Sequence, residues 1–514
     1  MPISVDFTGR PFHFIGIGGI GMSALAYILT KRNLPVSGSD LRLTHITRRL
    51  QEAGAHIFWQ QEAANLSYFI PASSPARAIT PDWGTAGSRV AVEAKIPATA
   101  MALDVTPQVV CSTAIDTRNP EYQAALELGC PILHRSDLLA ALIREYSSIA
   151  VAGTHGKTTT SSMIGHVLLQ ADLDPTIVVG GEVSTWGGNA RLGQGPYLVA
   201  EADESDGSLA KLSASIGVVT NVELDHTDHY RDLEQVVATF QTFQRQCGLL
   251  VASADCEVVR SSLSPDVTYS LSPDSGADYY VTNLQFGAEG TSALVWEQGQ
   301  PLGRLTLRVL GCHNLSNALA AVAVGRHLGV AFADIADSLK QFCGARRRFE
   351  HRGSYSSIQF FDDYAHHPSE IRATLAAARI KVDQPLLVDS RHGPEGRRVV
   401  AVFQPHRFSR TAALLKDFTD AFGDADQVIM ADIYSAGEKN TFGVSGRQLA
   451  EAVASSHPRV VYGHTLDDIH AALAQTLRPG DLVMFMGAGN LNQIIPEVMA
   501  HYAEAETPSL QEAC

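Results

Sequence analysis

Basic residues are in short supply in this 514-residue chain: Lys and Arg total 39 against 54 Asp and Glu, a formal net charge of −15. That deficit argues against broad contact with a nucleic-acid backbone, so any anionic ligand has to be held by local loops. Cysteine is also sparse. The seven residues (Cys111, Cys130, Cys247, Cys256, Cys312, Cys343, Cys514) are scattered, odd in number and never spaced C-x-x-C. This indicates neither a disulfide framework nor a zinc site and fits a reducing compartment, the cytoplasm. No uninterrupted apolar run opens the chain: the stretch 12–22 follows no basic segment and is broken by four glycines, so neither a signal peptide nor membrane insertion is expected. Internal repeats and long low-complexity runs are lacking too. With 45% hydrophobic and 18% charged residues, the composition is that of a soluble globular enzyme. The length exceeds one hydrophobic core and suggests three domains of roughly 100–200 residues.

What is present starts with Ile149-Ala150-Val151-Ala152-Gly153-Thr154-His155-Gly156-Lys157-Thr158-Thr159-Thr160. It reads as a buried strand, a glycine-bounded loop and a helix start. Gly153 and Gly156 let the backbone curl so that successive N–H groups face an anion; Lys157 adds a point charge and Thr158 a hydroxyl for Mg²⁺. Only Thr154 and His155 separate the two glycines, where the common phosphate loop has four residues. The stretch points to a nucleoside triphosphate, with Lys157 expected as a surface charge until phosphates arrive.

A second glycine cluster follows the strand pattern Phe12–Ile15: Gly16-Ile17-Gly18-Gly19-Ile20-Gly21, leading into a helix from Met22 to Lys31. The spacing lets a diphosphate approach the backbone at a helix N-terminus. Asp40, ending the next apolar stretch, can accept from a ribose hydroxyl. A turn without ligand and an NAD site both remain open on this pattern.

Strand patterns alternating with helix-length segments predict an α/β fold of mostly parallel, doubly wound sheets. Three domains are expected: a Rossmann-like unit over 1–146, a central unit of phosphate-loop ATPase type over 147–344 and a second Rossmann-like unit over 345–514. The central unit carries expected strands at 177–179, 197–200 and 216–220, with antiparallel strands at 278–284, 292–296 and 303–309. The third carries strands at 357–361, 398–403, 427–431, 459–462 and 481–486. Segment 70–107, rich in Pro, Ala, Ser and Thr, reads as an irregular insertion. Two acidic runs, Glu201-Ala202-Asp203-Glu204-Ser205-Asp206 and Glu223-Leu224-Asp225-His226-Thr227-Asp228-His229, follow central strands. Carboxyl ends of strands are where open α/β sheets bind ligands, and hard Mg²⁺ seeks oxygen donors there.

These runs, with Gly311-Cys312-His313-Asn314-Leu315-Ser316-Asn317, Arg346-Arg347-Arg348-Phe349-Glu350, Asp362-Asp363-Tyr364-Ala365-His366-His367-Pro368, Phe403-Gln404-Pro405-His406-Arg407-Phe408-Ser409-Arg410 and Gly487-Ala488-Gly489-Asn490, resemble the Mur ligases across all three expected domains. The resemblance implies an ATP- and Mg²⁺-dependent ligase of peptidoglycan synthesis that joins L-alanine to UDP-N-acetylmuramate through an acyl phosphate, as a monomer or weak homodimer. A ligase adding a preformed peptide to the same UDP-sugar is the alternative.

In that scheme Gly16, Gly18, Gly19, Gly21, Met22 and Asp40 hold the UDP-sugar. Gly153, Thr154, His155, Gly156, Lys157, Thr158 and Thr159 cradle ATP, with His313, Asn314 and Asn317 on the adenine side and Arg348 reaching the phosphates. Thr158, Glu201 and His226 bind metal. Arg407 and Arg410, with Tyr364, His366 and His406, hold the amino acid or acyl phosphate, the arginines facing solvent beforehand, and His367 reads as structural. Several relatives carry a carbamylated lysine after the metal-binding histidine; no lysine lies between His226 and Leu250, so that device is expected to be absent. The stretch 387–396 also matches the family poorly.

Overall fold

A computed structural model describes residues 4–70, 106–287, 290–383 and 396–506. Most of the two poorly patterned stretches, 71–105 and 387–395, lies outside the described residues. The chain forms two compact units: Met1–Val151 with Asp172–Gly217 and Arg245–Gly248, and Ala152–Ala171 with Val218–Gln244 and Leu249–Cys514.

The first unit is built on a five-stranded sheet ordered His56–Phe58, Val36–Ser39, Phe12–Ile15, Gln108–Cys111, Ile132–His134, and every pairing is parallel. All four residues of Phe12–Ile15 are buried, as a strand covered by helices on both faces requires. Phe12 pairs with Val36 on one side and Gln108 on the other, so the winding direction reverses beside this strand. A crevice opens at such a reversal, outside the carboxyl ends of the strands. The glycine cluster leaves from that end into the helix Ile20–Lys31, which starts two residues before the expected Met22. A second strand group follows in the same unit: Ser147–Ala152 and Thr176–Val183 both pair parallel with Tyr197–Glu201, and Gly188–Arg191 closes antiparallel on Thr176–Val183.

In the second unit the helices Lys157–Gln170 and Cys312–His327 are buried on nearly all sides and pack on each other. Alanines and glycine in the second allow that close approach. Leu249–Ser253, Val267–Ser270 and Tyr279–Gly287 run parallel, then Gly290–Glu297 and Gln300–Leu307 continue as an antiparallel meander. The expected alternation is real there: buried and half-buried residues alternate along Thr291–Trp296, one face packed and one wet.

A six-stranded sheet completes the unit, ordered Glu350–Tyr355, Ile358–Asp363, Leu482–Met486, Val399–Phe403, Gln427–Ala431, Val460–Gly463. Five strands are parallel, and separate cores cover the two faces, one around Phe403, Phe418 and Phe422, the other around Phe360, Phe485 and Ile469. The carboxyl ends of Ile358–Asp363, Val399–Phe403 and Leu482–Met486 carry the three C-terminal motifs together. Glu350–Tyr355 pairs antiparallel with its neighbour and was not expected, nor were His56–Phe58, Ile132–His134, Gly188–Arg191, Leu249–Ser253 or Val267–Ser270. Among the described residues no helix is long and apolar enough to cross a membrane.

Candidate active site

The loop between Ala152 and Lys157 takes its shape from two left-handed glycines, Gly153 at φ +135° and Gly156 at φ +83°. A Cβ on Gly153 would lie 2.0 Å from Thr220 Oγ1, and one on Gly156 2.6 Å from Asn317 Oδ1. Both positions therefore demand glycine in conformation and in space. The loop is stitched to the strand end beside it. Thr220 Oγ1 donates to His155 O at 2.5 Å, His155 N donates to Asn221 Oδ1 at 2.8 Å, and Glu223 N donates to Thr154 Oγ1 at 2.8 Å.

Lys157 corrects an expectation. It is half-buried, not a surface charge, and its Nζ folds back to donate to the carbonyls of Gly153 at 2.7 Å and Thr154 at 3.2 Å. Thr158 and Thr159 are buried at the helix start. Asn314 and Asn317 are buried as well and engaged in support: Asn317 Oδ1 accepts from Thr160 Oγ1 at 3.0 Å, and Asn314 Nδ2 donates to Leu310 O at 2.7 Å.

Around the loop, still within the second unit, imidazoles and carboxylates converge. His155 Nδ1 is 3.3 Å from Glu370 Oε1 and its Nε2 is 3.5 Å from Glu223 Oε2. Burial acts to lower the His155 pKa, but the two carboxylates outweigh it and raise it to about 10. In return, and against burial, Glu223 is lowered to about 2, with His155 the main cause. Glu370 is held well below the usual carboxylate range by His366, His155 and Arg348, again against burial. Glu370 Oε2 also accepts from the backbone of His366 at 2.9 Å and of His367 at 3.2 Å. Arg348 Nη1 lies 3.8 Å from Glu370, and its guanidinium stands over the Tyr364 ring at 5.2 Å. Sequence reasoning missed Glu370 and Ser369; their position in the first turn of the helix Pro368–Asp383, directly after the double histidine, was the available signal. His367, read as structural, lies with its ring tilted 43° against that of His155, centroids 4.6 Å apart.

The arginines differ from expectation too. Arg410 is 3% exposed and clamps buried Asp225 through Nε at 2.7 Å and Nη2 at 3.1 Å. This bidentate pair holds Asp225 well below its usual range despite burial, as such forks do. Arg407 binds Asp228 at 2.7 Å and Glu438 at 3.2 Å. Its backbone sits at φ +74°, a conformation that costs a non-glycine residue about 1–3 kcal/mol and clusters at working sites. His366 Nδ1 must donate to Tyr364 O, 2.9 Å away, which leaves Nε2 as an acceptor. Burial lowers His366 and His313 to about 4 and His406 to about 3. All three are neutral at pH 7. His226 adopts φ +53° and receives its turn from Asp225 Oδ1, which accepts the His226 N–H at 2.7 Å.

In the first unit, Gly16 and Ile17 donate to Ser39 O at 2.9 Å each, and Gly18 N donates to Asp40 Oδ2 at 2.9 Å. Asp40 thus closes the glycine cluster from the end of the neighbouring strand. Met22 turns its side chain into the core, at 3% exposure, so only its backbone can face a ligand. A Cβ on Gly21 would come 3.1 Å from Arg135 Nη1. Arg135, missed from sequence, opens the helix after the fifth strand and donates to Asp203 Oδ2 at 2.7 Å. Glu201 ends its strand with Oε2 accepting from Gly180 N at 2.7 Å. Thr158 and His226 belong to the second unit and Glu201 to the first.

The chain matches three family models: "Mur ligase family, catalytic domain" over residues 11–147, "Mur ligase middle domain" over 151–325 and "Mur ligase, glutamate ligase domain" over 347–489. It is 59% identical over 504 residues to the UDP-N-acetylmuramate–L-alanine ligase of Nostoc punctiforme, covering 98% of this chain and 99% of that one. The protein of the same name from Crocosphaera subtropica is 60% identical over 521 residues, with 99% and 98% covered. Among solved structures, the UDP-N-acetylmuramate-alanine ligase of Thermotoga maritima aligns with a TM-score of 0.75 at 27% identity over 96% of this chain and 100% of that one. A murein peptide ligase from Psychrobacter arcticus, at 21% identity, TM-score 0.65 and 96% and 99% coverage, shares the fold.

Proposed function

Since the chain belongs to the Mur ligase family, we infer that it is an ATP-dependent carboxylate–amine ligase joining L-alanine to UDP-N-acetylmuramate. The reaction supplies peptidoglycan precursors and thereby cell-wall growth, cell shape and division. The nicotinamide reading of the glycine cluster falls away with this assignment.

The lactyl carboxylate of the UDP-sugar attacks the γ-phosphorus of ATP, and ADP leaves. The neutral amine of alanine then attacks the acyl carbon, gives up a proton, and the tetrahedral intermediate expels phosphate. Catalysis here is positioning and charge stabilisation. Lys157 exchanges its two loop carbonyls for phosphate oxygens, while the amides of Gly153 to Thr159 cradle the nucleotide. His313 lines the adenine side, Asn314 and Asn317 support the loop from behind, and Arg348 reaches the phosphates. Arg407 recognises carboxylate or acyl phosphate beside Tyr364 and His406, and Arg410, committed to Asp225 and His406, contributes its charge from beneath. His366, neutral with Nε2 free to accept, orients the incoming amine.

Thr158, Glu201 and His226 are the residues proposed for Mg²⁺: a hydroxyl and a carboxylate are its usual donors, the imidazole a less usual addition. Bound there, the ion would neutralise charge on the phosphates. In the first unit Gly16, Gly18, Gly19, Gly21, the Met22 backbone and Asp40 hold the UDP-sugar. The proposed division is UDP-sugar over 1–146, ATP over 147–344 and amino acid over 345–514. The proposal keeps the expected active species, a monomer or weak homodimer acting in the cytoplasm.

One observation carries the reading. The second unit joins the phosphate-loop neighbourhood to both C-terminal motifs through named pairs: Glu370 with His155, Ser369 Oγ donating to Glu223 at 2.7 Å, and Arg410 with Asp225. A phosphoryl site alone would not need them. Incubation with ATP, Mg²⁺, UDP-N-acetylmuramate and alanine, glycine, serine or a tripeptide in parallel, followed by mass measurement, tests it. The alanyl product should form fastest; preference for the peptide would favour the recycling-type ligase.

A further inference from the structure

His155, Glu223 and His367 bring two imidazoles and a carboxylate together with ligand atoms all within 4.8 Å of one another, and the Mg²⁺ donor set uses none of them. We propose that these three side chains form a site for a Zn²⁺-class transition-metal dication, separate from the Mg²⁺ set of Thr158, Glu201 and His226. The inference does not depend on the ligase reading.

The spacings fit a tetrahedral ion. Glu223 Oε2 is 3.5 Å from His155 Nε2 and 3.7 Å from His367 Nδ1. Bonds of about 2.0–2.1 Å to nitrogen and oxygen place neighbouring tetrahedral ligands roughly 3.3–3.5 Å apart. These two pairs need to close by only a few tenths of an ångström, and all three donor atoms lie within 4.8 Å of one another. The 3.5 Å separation is too long for a formed hydrogen bond, and His155 Nε2 is a buried atom with no hydrogen-bond partner. His367 Nε2 is in the same state, while His367 Nδ1 accepts a hydrogen bond from Ser369 N at 3.2 Å, which an ion at Nδ1 displaces.

The surrounding groups are those that orient metal ligands. Glu370 Oε1 faces His155 Nδ1 at 3.3 Å, so it keeps the Nδ1–H while the ion displaces the Nε2 proton that the two carboxylates otherwise hold on the ring, which gives the carboxylate–histidine–metal arrangement. Ser369 Oγ fixes the same Glu223 oxygen at 2.7 Å. Two carboxylates flank one imidazole, so the pocket favours a cation. Two nitrogen donors and one oxygen select against Mg²⁺ and for Zn²⁺, Co²⁺ or Ni²⁺. The Glu223 side chain is 39% exposed against 14% for His155 and 6% for His367, which gives the ion an entry route and leaves the fourth position to water. An ion here ties the phosphate loop to the segment Asp362–Glu370 within one unit.

The test uses the full chain in millimolar Mg²⁺, titrated with Co²⁺ by visible absorption and with Zn²⁺ by equilibrium dialysis. One equivalent of Co²⁺ should give a tetrahedral nitrogen/oxygen spectrum that Zn²⁺ abolishes. Glu223→Gln, which preserves shape, and His367→Gln should each weaken binding at least tenfold with thermal melts confirming the fold, while His226→Ala retains it. Absence of binding in the parent, loss in His226→Ala with retention in His367→Gln, or a thiolate charge-transfer band from exposed Cys312 or Cys343 would each overturn the assignment.

Discussion

The Lys157 ammonium is parked on two loop carbonyls, at 2.7 and 3.2 Å. Moving from carbonyls to phosphate keeps the charge hydrogen-bonded throughout, so the loop arrives preorganised and reorganises little when ATP binds. Lys157→Ala should lower the rate of ligation by at least two to three powers of ten, the about 3–4 kcal/mol worth of a contact made to developing charge, while thermal melts move little. Steady-state product formation within tenfold of the parent would remove Lys157 from the chemistry. His406 offers a pH test at the same scale. Its Nδ1 accepts from Arg410 Nη1 at 3.2 Å, which only a neutral ring can do. Burial first, then His366, Arg410 and Arg407, hold it down to about 3, whereas an unfolded imidazole titrates near 6.5. Between those values the unfolded chain binds the extra proton, so this contribution to stability is full above pH 6.5 and drains away as pH falls. His406→Gln keeps an acceptor without the titration. Melts from pH 8 to 4 should show a shallower acid limb for the variant, by a slope approaching one proton; superimposable limbs would mean that His406 is protonated in the fold.

At the scale of elements, the sequence was readable where a strand, a glycine turn and a helix fall in register. Ser147–Ala152 into Lys157–Gln170 and Phe12–Ile15 into Ile20–Lys31 both matched to within two residues or so. Buried parallel strands such as Gln427–Ala431 are continuous apolar runs and stand out for that reason. The elements that escaped are short or carry weak signals. His56–Phe58 and Ile132–His134 span three residues each, too few to show a period. The turn joining Glu350–Tyr355 to Ile358–Asp363 uses Ser356 and Ser357 at φ +50° and +60°, the twist a two-residue hairpin prefers but without the Asn-Gly or Asp-Gly that advertises it. Candidate site residues divide the same way. Lys157, Glu201, His226 and the arginines lie in motifs whose chemistry is local, whereas Glu370, Ser369 and Arg135 act on partners 68 to 215 positions away, a relation no window along the chain contains. Arg410 was singled out but expected to face solvent, because its countercharge Asp225 is 185 residues distant.

On the whole molecule, the proposed roles are split between two compact units: the glycine cluster, Asp40 and Glu201 in the first, the phosphate loop, His226 and the C-terminal motifs in the second. Each unit carries its own glycine-shaped loop, with positive φ at Gly16 in one and at Gly153 and Gly156 in the other. A ligand that binds the folded form stabilises what it touches by mass action and suppresses local opening there. Hydrogen exchange read by mass spectrometry should therefore separate the two substrates. MgATP alone should slow exchange in peptides spanning 153–160 and 220–228. UDP-N-acetylmuramate alone should slow those spanning 16–22 and the helix start at Arg135, whose guanidinium borders Gly21. Lys157→Ala should erase most of the first pattern and leave the second. If MgATP alone protected the glycine cluster as strongly as the UDP-sugar does, the cluster would be a nucleotide site in its own right and the assignment of the sugar to the first unit would fail.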